Sequence, residues 1–270
     1  MPRIRSVSPY SDFPHHPYRE GYSVLPRLRK IPVADLFEHD SAADQAYLTE
    51  KRLAAQSQLV CFEHDFSCPL RRVVTRFLVD KYPKQISAEE SLEGVCAQIQ
   101  PDVVVHALDA GRDWLAFAHV CFPSGWRPEE KIGKPLSEIH QPVPGMDLSH
   151  SQQLVDTMVN HGPFERFVWS VVFEEQLNFH PDRPRAEFCA ERPQLFVKIE
   201  RQVTVGFPEQ GGALFLLRQS LIPVRAIDLP ALRNALVQMN SNERKYKGLG
   251  SSADEIISWL DSQIGLFRES

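Results

Sequence analysis

The sequence predicts an α+β fold in which a mostly antiparallel central sheet is flanked by N-terminal and C-terminal helices. Helix-period stretches fill residues 41–99 and the region from Leu229 onward, and five segments between them alternate with period two. The strongest strands come in pairs joined by short turns, a connection that antiparallel neighbours allow and parallel ones do not. No glycine-rich phosphate loop, dinucleotide motif or internal repeat is present, which argues against doubly wound and repeat architectures.

At 270 residues the chain can bury roughly three quarters of its unfolded surface. Its composition divides it into an extended proline-rich arm, residues 1–33, and a single domain, residues 34–270. The arm holds six prolines and six Arg/Lys residues but no apolar run of the kind a secretory leader needs. Its His15-His16 pair has the residue type of a metal ligand, but an exposed pair in such a segment is ordinarily solvated. A net charge of −5 and a pI near 6.1 give no electrostatic reason to expect nucleic acid or an anionic membrane. No run approaches 18 apolar residues, so no membrane span is predicted. Five cysteines without a CxxC exclude zinc ribbons and thioredoxin-like motifs, and predict reduced, mostly buried thiols in a cytoplasmic protein.

In chain order, Ser41 is placed to cap a helix carrying Ala46, Tyr47, Leu53 and Ala54 on one side. A second helix is expected over Pro69–Lys81, with Val73, Val74, Phe77 and Leu78 in one stripe. Ser87 and Glu90 form a capping-box pattern for a third, running to Ile99. A hairpin follows, Val103–Leu108 and Trp114–Cys121. Its alternation puts His119 and Cys121 on one face; no third group that would orient them for nucleophilic chemistry is evident.

The segment Phe122–Met146, FPSGWRPEEKIGKPLSEIHQPVPGM, is dense in proline and glycine. Pro128 begins a short helix through Lys131. Pro142 and Pro144 are expected to hold Ile139–Val143 extended, setting His140 on a stiff rail at a fixed angle. A histidine satisfied by nearby backbone groups is the plainer reading of the same residue.

Beyond it, a helix is expected over Ser149–His161 and a strand over Phe164–Phe173, with Arg166, Val168 and Ser170 alternating against Phe167, Trp169 and Val171. Residues 178–193 read as a loop. Two strong strands, Leu195–Phe207 and Gly212–Ile222, follow. On the first, Val197, Ile199, Arg201 and Val203 share one face, and Lys198, Glu200 and Gln202 share the other. Arg201 and Arg218 thus fall on apolar faces, which calls for either a structural ion-pair network or a pocket for an anion. Helices over Leu229–Met239 and Ala253–Ile264 close the chain, with the basic, aromatic link Asn242–Gly248 between them.

The succession of YLTEK, KYP, FPSGWRPEEKIGKPLSEIHQPVP, IERQ, a strand containing LR, and YKGL resembles the family of the heme-dependent oxidative N-demethylase α subunit. The resemblance runs from about Pro32 to the C-terminus, and Pro123–Pro144 is its most specific part. It implies a PAS-like sheet holding heme b, with O2 and external electrons used to oxidise a small amine and release formaldehyde. His140 of the IHxPVP motif is then the candidate axial, iron-binding ligand. Trp126 and Lys131 would line the pocket or neutralise a propionate, with Arg201 and Arg218 as further cofactor-binding candidates. Glu200 and Lys198 are the catalytic candidates, Glu200 to attract a cationic substrate. Lys198 stands where the family's strand motif carries Arg, and Val168 where its Asn-Trp-Ser triplet carries Asn. No flavin or iron–sulfur motif occurs, so a separate reductase is implied. The alternatives are a non-catalytic PAS-type heme or small-ligand binding protein, and an interaction subunit whose pocket is filled by side chains.

Overall fold

The computed structural model describes residues 15–25, 27–36, 42–83, 85–86, 91–250 and 252–268. Among these, seven strands form one sheet: β1 (Arg29–Lys30), β2 (Cys61–Glu63), β3 (Asp102–Asp109), β4 (Arg112–His119), β5 (Phe164–Val172), β6 (Phe196–Phe207) and β7 (Gly212–Pro223). The spatial order is β1-β5-β6-β7-β3-β4-β2, and every pairing is antiparallel. The predicted α+β class with an antiparallel sheet is the observed one. β1 and β2 were not anticipated, because two or three residues are too few to display alternation.

The β6–β7 hairpin is the centre of the sheet. Its ladder runs from Phe196↔Pro223 to Phe207↔Gly212. β-branched residues at Val197, Ile199, Val203 and Val205 suit this pleated, doubly covered position. On one face, α2 (Cys68–Lys81) and α3 (Leu92–Gln98) pack against Val103, Val105, Val203 and Leu216. Farther along that face, α7 (Leu229–Gln238) and α9 (Ser252–Arg268) pack against Val197, Ile199 and Ile222. The opposite face is covered by α4 (Pro128–Lys131), α5 (Leu136–His140) and α6 (Ser151–His161), through Leu136, Ile139, Val155 and Met158. α1 (Ala42–Ser57) brings Tyr47 to the end of β7, where its hydroxyl accepts from the Gln219 N–H.

Local chemistry explains several boundaries. The Ser67 hydroxyl caps α2 at the Leu70 N–H, with Pro69 in the first turn. Ser91, not the expected Ser87, caps α3 at the Gly94 N–H; the Ser87–Glu90 pattern and Ser41 lie outside the described residues. The link after α7 is itself a helix, α8 (Ser241–Tyr246), because Asn240 and Glu243 close a full capping box. Pro128 opens α4 as predicted.

The expected extended rail around His140 is corrected. Ile139 and His140 are the last residues of α5, and Gln141 remains helical at φ −50°, ψ −35° although Pro142 follows it. The pre-proline restriction is a bias on the one residue before proline, and it reaches neither Ile139 nor His140. A single turn anchored at both ends therefore forms where the proline spacing pointed to extended chain.

The described part of the arm packs onto the sheet. Tyr18 is fully buried, and its hydroxyl accepts from the Asp228 N–H. Among the described residues, no helix is long and apolar enough to cross a membrane.

β6 and α6 touch backbone to backbone at Gly206, where a Cβ would lie 2.0 Å from the Val159 carbonyl oxygen. Gly206→Ala should therefore lower stability by about 2 kcal/mol or more through overpacking. Gly265→Ala in α9, with nothing within 4 Å of the added methyl, should raise it by up to about 1 kcal/mol through helix propensity. Urea midpoints of the two variants moving in the same direction would contradict this packing.

Candidate functional site

The sheet face under α4–α6 carries a buried polar cluster, and the alternation of β6 creates it. Lys198 and Glu200 are 2% and 8% exposed. They stand about 7 Å apart along the strand, from its rise per residue. The Ser124 hydroxyl joins them. Lys198 Nζ donates to Ser124 Oγ at 2.9 Å, and Ser124 Oγ donates to Glu200 Oε2 at 2.6 Å. The direction follows from the groups: an ammonium only donates, an ionised carboxylate only accepts, and a hydroxyl does both. Gln202 Nε2 occupies the other Glu200 oxygen at 2.6 Å. Lys198 also donates to the Leu177 carbonyl and lies over the Phe179 ring. Burial lowers its ammonium to about 7, against the opposing pull of Glu200 and Asp102. Ser124 is aimed by the turn that follows β4: Gly125, at φ +84°, lets its N–H return to the Phe179 carbonyl.

His140 is held by a relay through α5. His106 Nε2 lies 2.6 Å from Asp113 Oδ2, and the same oxygen accepts from the Leu136 N–H at 2.7 Å. Asp113 thus fixes the start of the helical turn to the β3–β4 hairpin. At the other end, His140 Nδ1 donates to the Leu136 carbonyl at 3.1 Å. That bond selects the tautomer in which Nε2 carries a lone pair. Burial lowers the imidazole to about 4, so it is neutral at physiological pH. Its helix neighbour Ile139 packs with Trp126 and Ile132 against Val104, Leu115 and Leu217, which supplies an apolar wall on this face. Lys131 Nζ approaches the Glu138 carbonyl and couples electrostatically to His140. The arrangement offers what an axial ligand needs: a neutral imidazole, one nitrogen tied to a carbonyl and the other available.

Arg201 and Arg218 do not join this cluster. They sit directly opposite each other on the other face of the sheet, between its two apolar clusters. Arg201 Nε donates to Glu165 at 2.6 Å, and its terminal nitrogens donate to the carbonyls of Leu36 and Asp35. Arg218 stacks over the Tyr47 ring and donates to the Gln219 carbonyl. These contacts are those of a structural network, and both arginines also line a small pocket with Leu36, Tyr82 and Gln100.

The His119–Cys121 pair gains a third member, Asp102, with potential ligand atoms of all three within 4.8 Å of one another. A cation is already present, however. Lys51 Nζ lies 3.5 Å from Asp102 Oδ1, and Asp102 Oδ2 accepts from the Phe122 N–H. Burial first, then Lys51, depresses His119 to about 3, so it is a neutral side chain.

A protein-family profile described as "Haem-dependent oxidative N-demethylase, alpha subunit-like" matches residues 50–257. The chain belongs to this family. No curated protein gives a significant match. The family's name couples the chain to heme and to oxidative demethylation, and the matched span contains His140, Lys198 and Glu200 together with the Ser124 turn.

Four residues of this face were not singled out from the sequence as site residues. Ser124 lies inside the FPSGW motif, yet nothing in its spacing says that it bridges residues 74 and 76 positions away. Gln219 joins through the register Glu200↔Gln219, its Nε2 lying 3.1 Å from Ser124 Oγ. Arg166 of β5 lies diagonally from Glu200 on the same face and couples to it and to His140. Lys247 donates to the Trp169 carbonyl at 2.9 Å along the free edge of β5. Strand alternation marked Arg166's face; only the register identifies its neighbours.

Burial also depresses Lys247, to about 8. Both lysines thus hold fewer protons folded than unfolded between their depressed values and the ordinary 10.5. By linkage their contribution makes stability rise as pH climbs from about 7 toward 10. NMR of labelled lysine ε-carbons should show two resonances titrating near 7 and 8, and Lys198→Met should delete the lower one and flatten the stability rise. If every lysine titrates above 10, the described burial is incorrect.

Proposed function

We propose that this chain binds heme b on the sheet face under α4–α6, where His140 Nε2 would hold the iron, and acts as an O2-dependent oxidase that N-demethylates a small amine. The observation that carries this reading is the His140 geometry: a half-buried turn, tied down by Asp113, presents a neutral imidazole whose Nδ1 is already committed to Leu136. A PAS-like sheet, with residues 34–270 acting as one heme-binding unit, is part of the same proposal. Trp126 and Ile139 would flank the cofactor, and Lys131 would meet a propionate. Bound heme supplies the redox chemistry, in which an N-methyl amine, O2, two electrons and two protons give the demethylated amine, formaldehyde and water.

The chain's own groups handle charge and protons around it. An ionised Glu200 would attract the ammonium form of the substrate. The Ser124 hydroxyl, bonded to both Glu200 and Lys198, lets a proton at Lys198 Nζ reach Glu200 Oε2 through two hydrogen bonds. A lysine near pKa 7 gives and takes that proton at little cost at neutral pH. Electrons would come from a separate reductase. All five cysteines are free thiols, which suits a reducing cytoplasm.

A second reading, a non-catalytic heme or small-ligand binding protein, is favoured by one observation. Lys198 replaces the arginine of the resembling strand motif and is turned to Ser124 and Leu177 rather than left available. Amine-dependent O2 consumption with an artificial reductant separates the two.

Hemin added to the purified chain should bind at about one per chain and give a Soret band. His140→Ala should lose or shift that band, and external imidazole should restore it; His161→Ala, at an exposed position, should leave it unchanged. An unaltered ferric spectrum in His140→Ala removes this ligand assignment.

Glu200→Gln should keep full heme content yet weaken the amine-induced spectral change about tenfold, the scale of one charge-assisted hydrogen bond. Lys198→Arg should maintain or raise amine-dependent turnover. Loss of turnover in a Lys198→Arg protein that still binds heme counts against the placement of this strand beside the substrate.

A further inference from the structure

β1 pairs with only the first two residues of β5. Past them, the β5 edge is roofed by the arm carrying Tyr22 and Arg27, and a cavity of about 240 Å³ lies between. Phe167, Trp169 and Tyr22 give it aromatic walls. Its charged lining is unbalanced, two acids against four bases: Glu20 and Glu165, with Arg27, Arg29, Arg166 and Lys247.

Both acids are already committed. Glu20 pairs with Arg27 and His15, and Glu165 with Arg29 and Arg201. Arg166 and Lys247 remain. Arg166 Nε is buried without a hydrogen-bond partner among the described residues. Lys247 spends one of its three protons on the Trp169 carbonyl and leans toward the Tyr22 ring. Glu200 couples to both cations, but its oxygens are held by Ser124 and Gln202. Two half-buried cations sharing one cavity without an acid of their own, one with a buried and unpartnered Nε, are costly unless an anion joins them.

We propose that this edge cavity is a carboxylate-binding site, with Arg166 and Lys247 as donors and Tyr22 and Trp169 against the carbon skeleton. Two donors between aromatic walls suit a singly charged, planar carboxylate better than a phosphate. Size limits the ligand further. A dry cavity of about 150 Å³ takes benzene, so this one takes a group of roughly ten non-hydrogen atoms and not a porphyrin. The carboxylate therefore belongs either to a small free acid or to a propionate arm reaching the edge from a heme on the His140 side. Arg166 lines the cavity and lies on the same sheet face as Glu200.

The heme-free full chain, titrated with benzoate by calorimetry, tests the site. Benzoate should bind, and benzyl alcohol, the same size but neutral, should bind at least tenfold more weakly. Arg166→Met and Lys247→Met should each weaken benzoate tenfold or more while circular dichroism stays native. If either variant fails to fold, the wild-type comparison of benzoate with benzyl alcohol decides alone. Equal binding of the two probes, or undiminished benzoate binding in a folded Arg166→Met, overturns the proposal.

Hemin loading distinguishes the sources. Loss of the benzoate site in hemin-loaded protein, and its retention with hemin dimethyl ester, assigns the cavity to a propionate. Unchanged benzoate affinity after loading assigns it to a free acid. A chain that takes up no hemin but binds benzoate retains this site and loses the proposed function.

Discussion

Burying charge on a strand covered from both sides is the constraint on which the rest of this structure depends. β6 carries Lys198, Glu200 and Arg201 within four residues, and all three are less than 10% exposed. Removing the partner of such a charge costs about 3–5 kcal/mol, comparable to a large share of a domain's net stability. Each charge therefore draws in a distant piece of chain. Lys198 and Glu200 hold the Ser124 turn; Arg201 holds the carbonyls of Leu36 and Asp35, 165 and 166 residues away. The loops that would otherwise be free to vary around the sheet are pinned where these bonds require them. The polar face proposed for catalysis is thus part of what determines the path of the chain.

The same logic operates at His140, with a hairpin in place of a strand charge. A four-residue spacing from Leu136 lets one turn of helix put the carbonyl and the imidazole in contact. So short a helix has little stability of its own. Its first N–H is held by Asp113, whose carboxylate is in turn held by His106. Loosening the hairpin at His106 or Asp113 would release the turn and with it the angle of His140. Imidazole orientation here is a property of β3 and β4 as much as of the motif that carries the histidine.

The fold class, five of the strands and most helices were legible because each rests on local periodicity: the twelve-residue alternations of β6 and β7, or the stripe of Val74 and Leu78 in α2. Short pairings at Arg29–Lys30 and Cys61–Glu63 were not, since only a partner strand reveals them. The extended rail expected around His140 failed for a different reason: each proline restricts only the residue before it. Arg166 and Ser124 entered only with the register, because contacts across a sheet are set by strand order, which no local pattern contains.

The two arginine sets show where a sheet of this kind can keep a cation for a ligand. At the centre, Arg201 and Arg218 face each other on neighbouring strands, so their like charges must be answered from within: Glu165, backbone carbonyls and the Tyr47 ring do this. At the β5 edge the pairing with β1 stops after two residues, and solvent or a ligand can reach what the centre must seal. Arg166 sits at that boundary, on the face of Lys198 and Glu200 yet beside an open cavity. A buried charge at the core of a strand ladder is thus a structural element, and the same side chain two strands from β7, at the edge, is free to be a recognition element. Position in the sheet, more than residue type, separates the two roles.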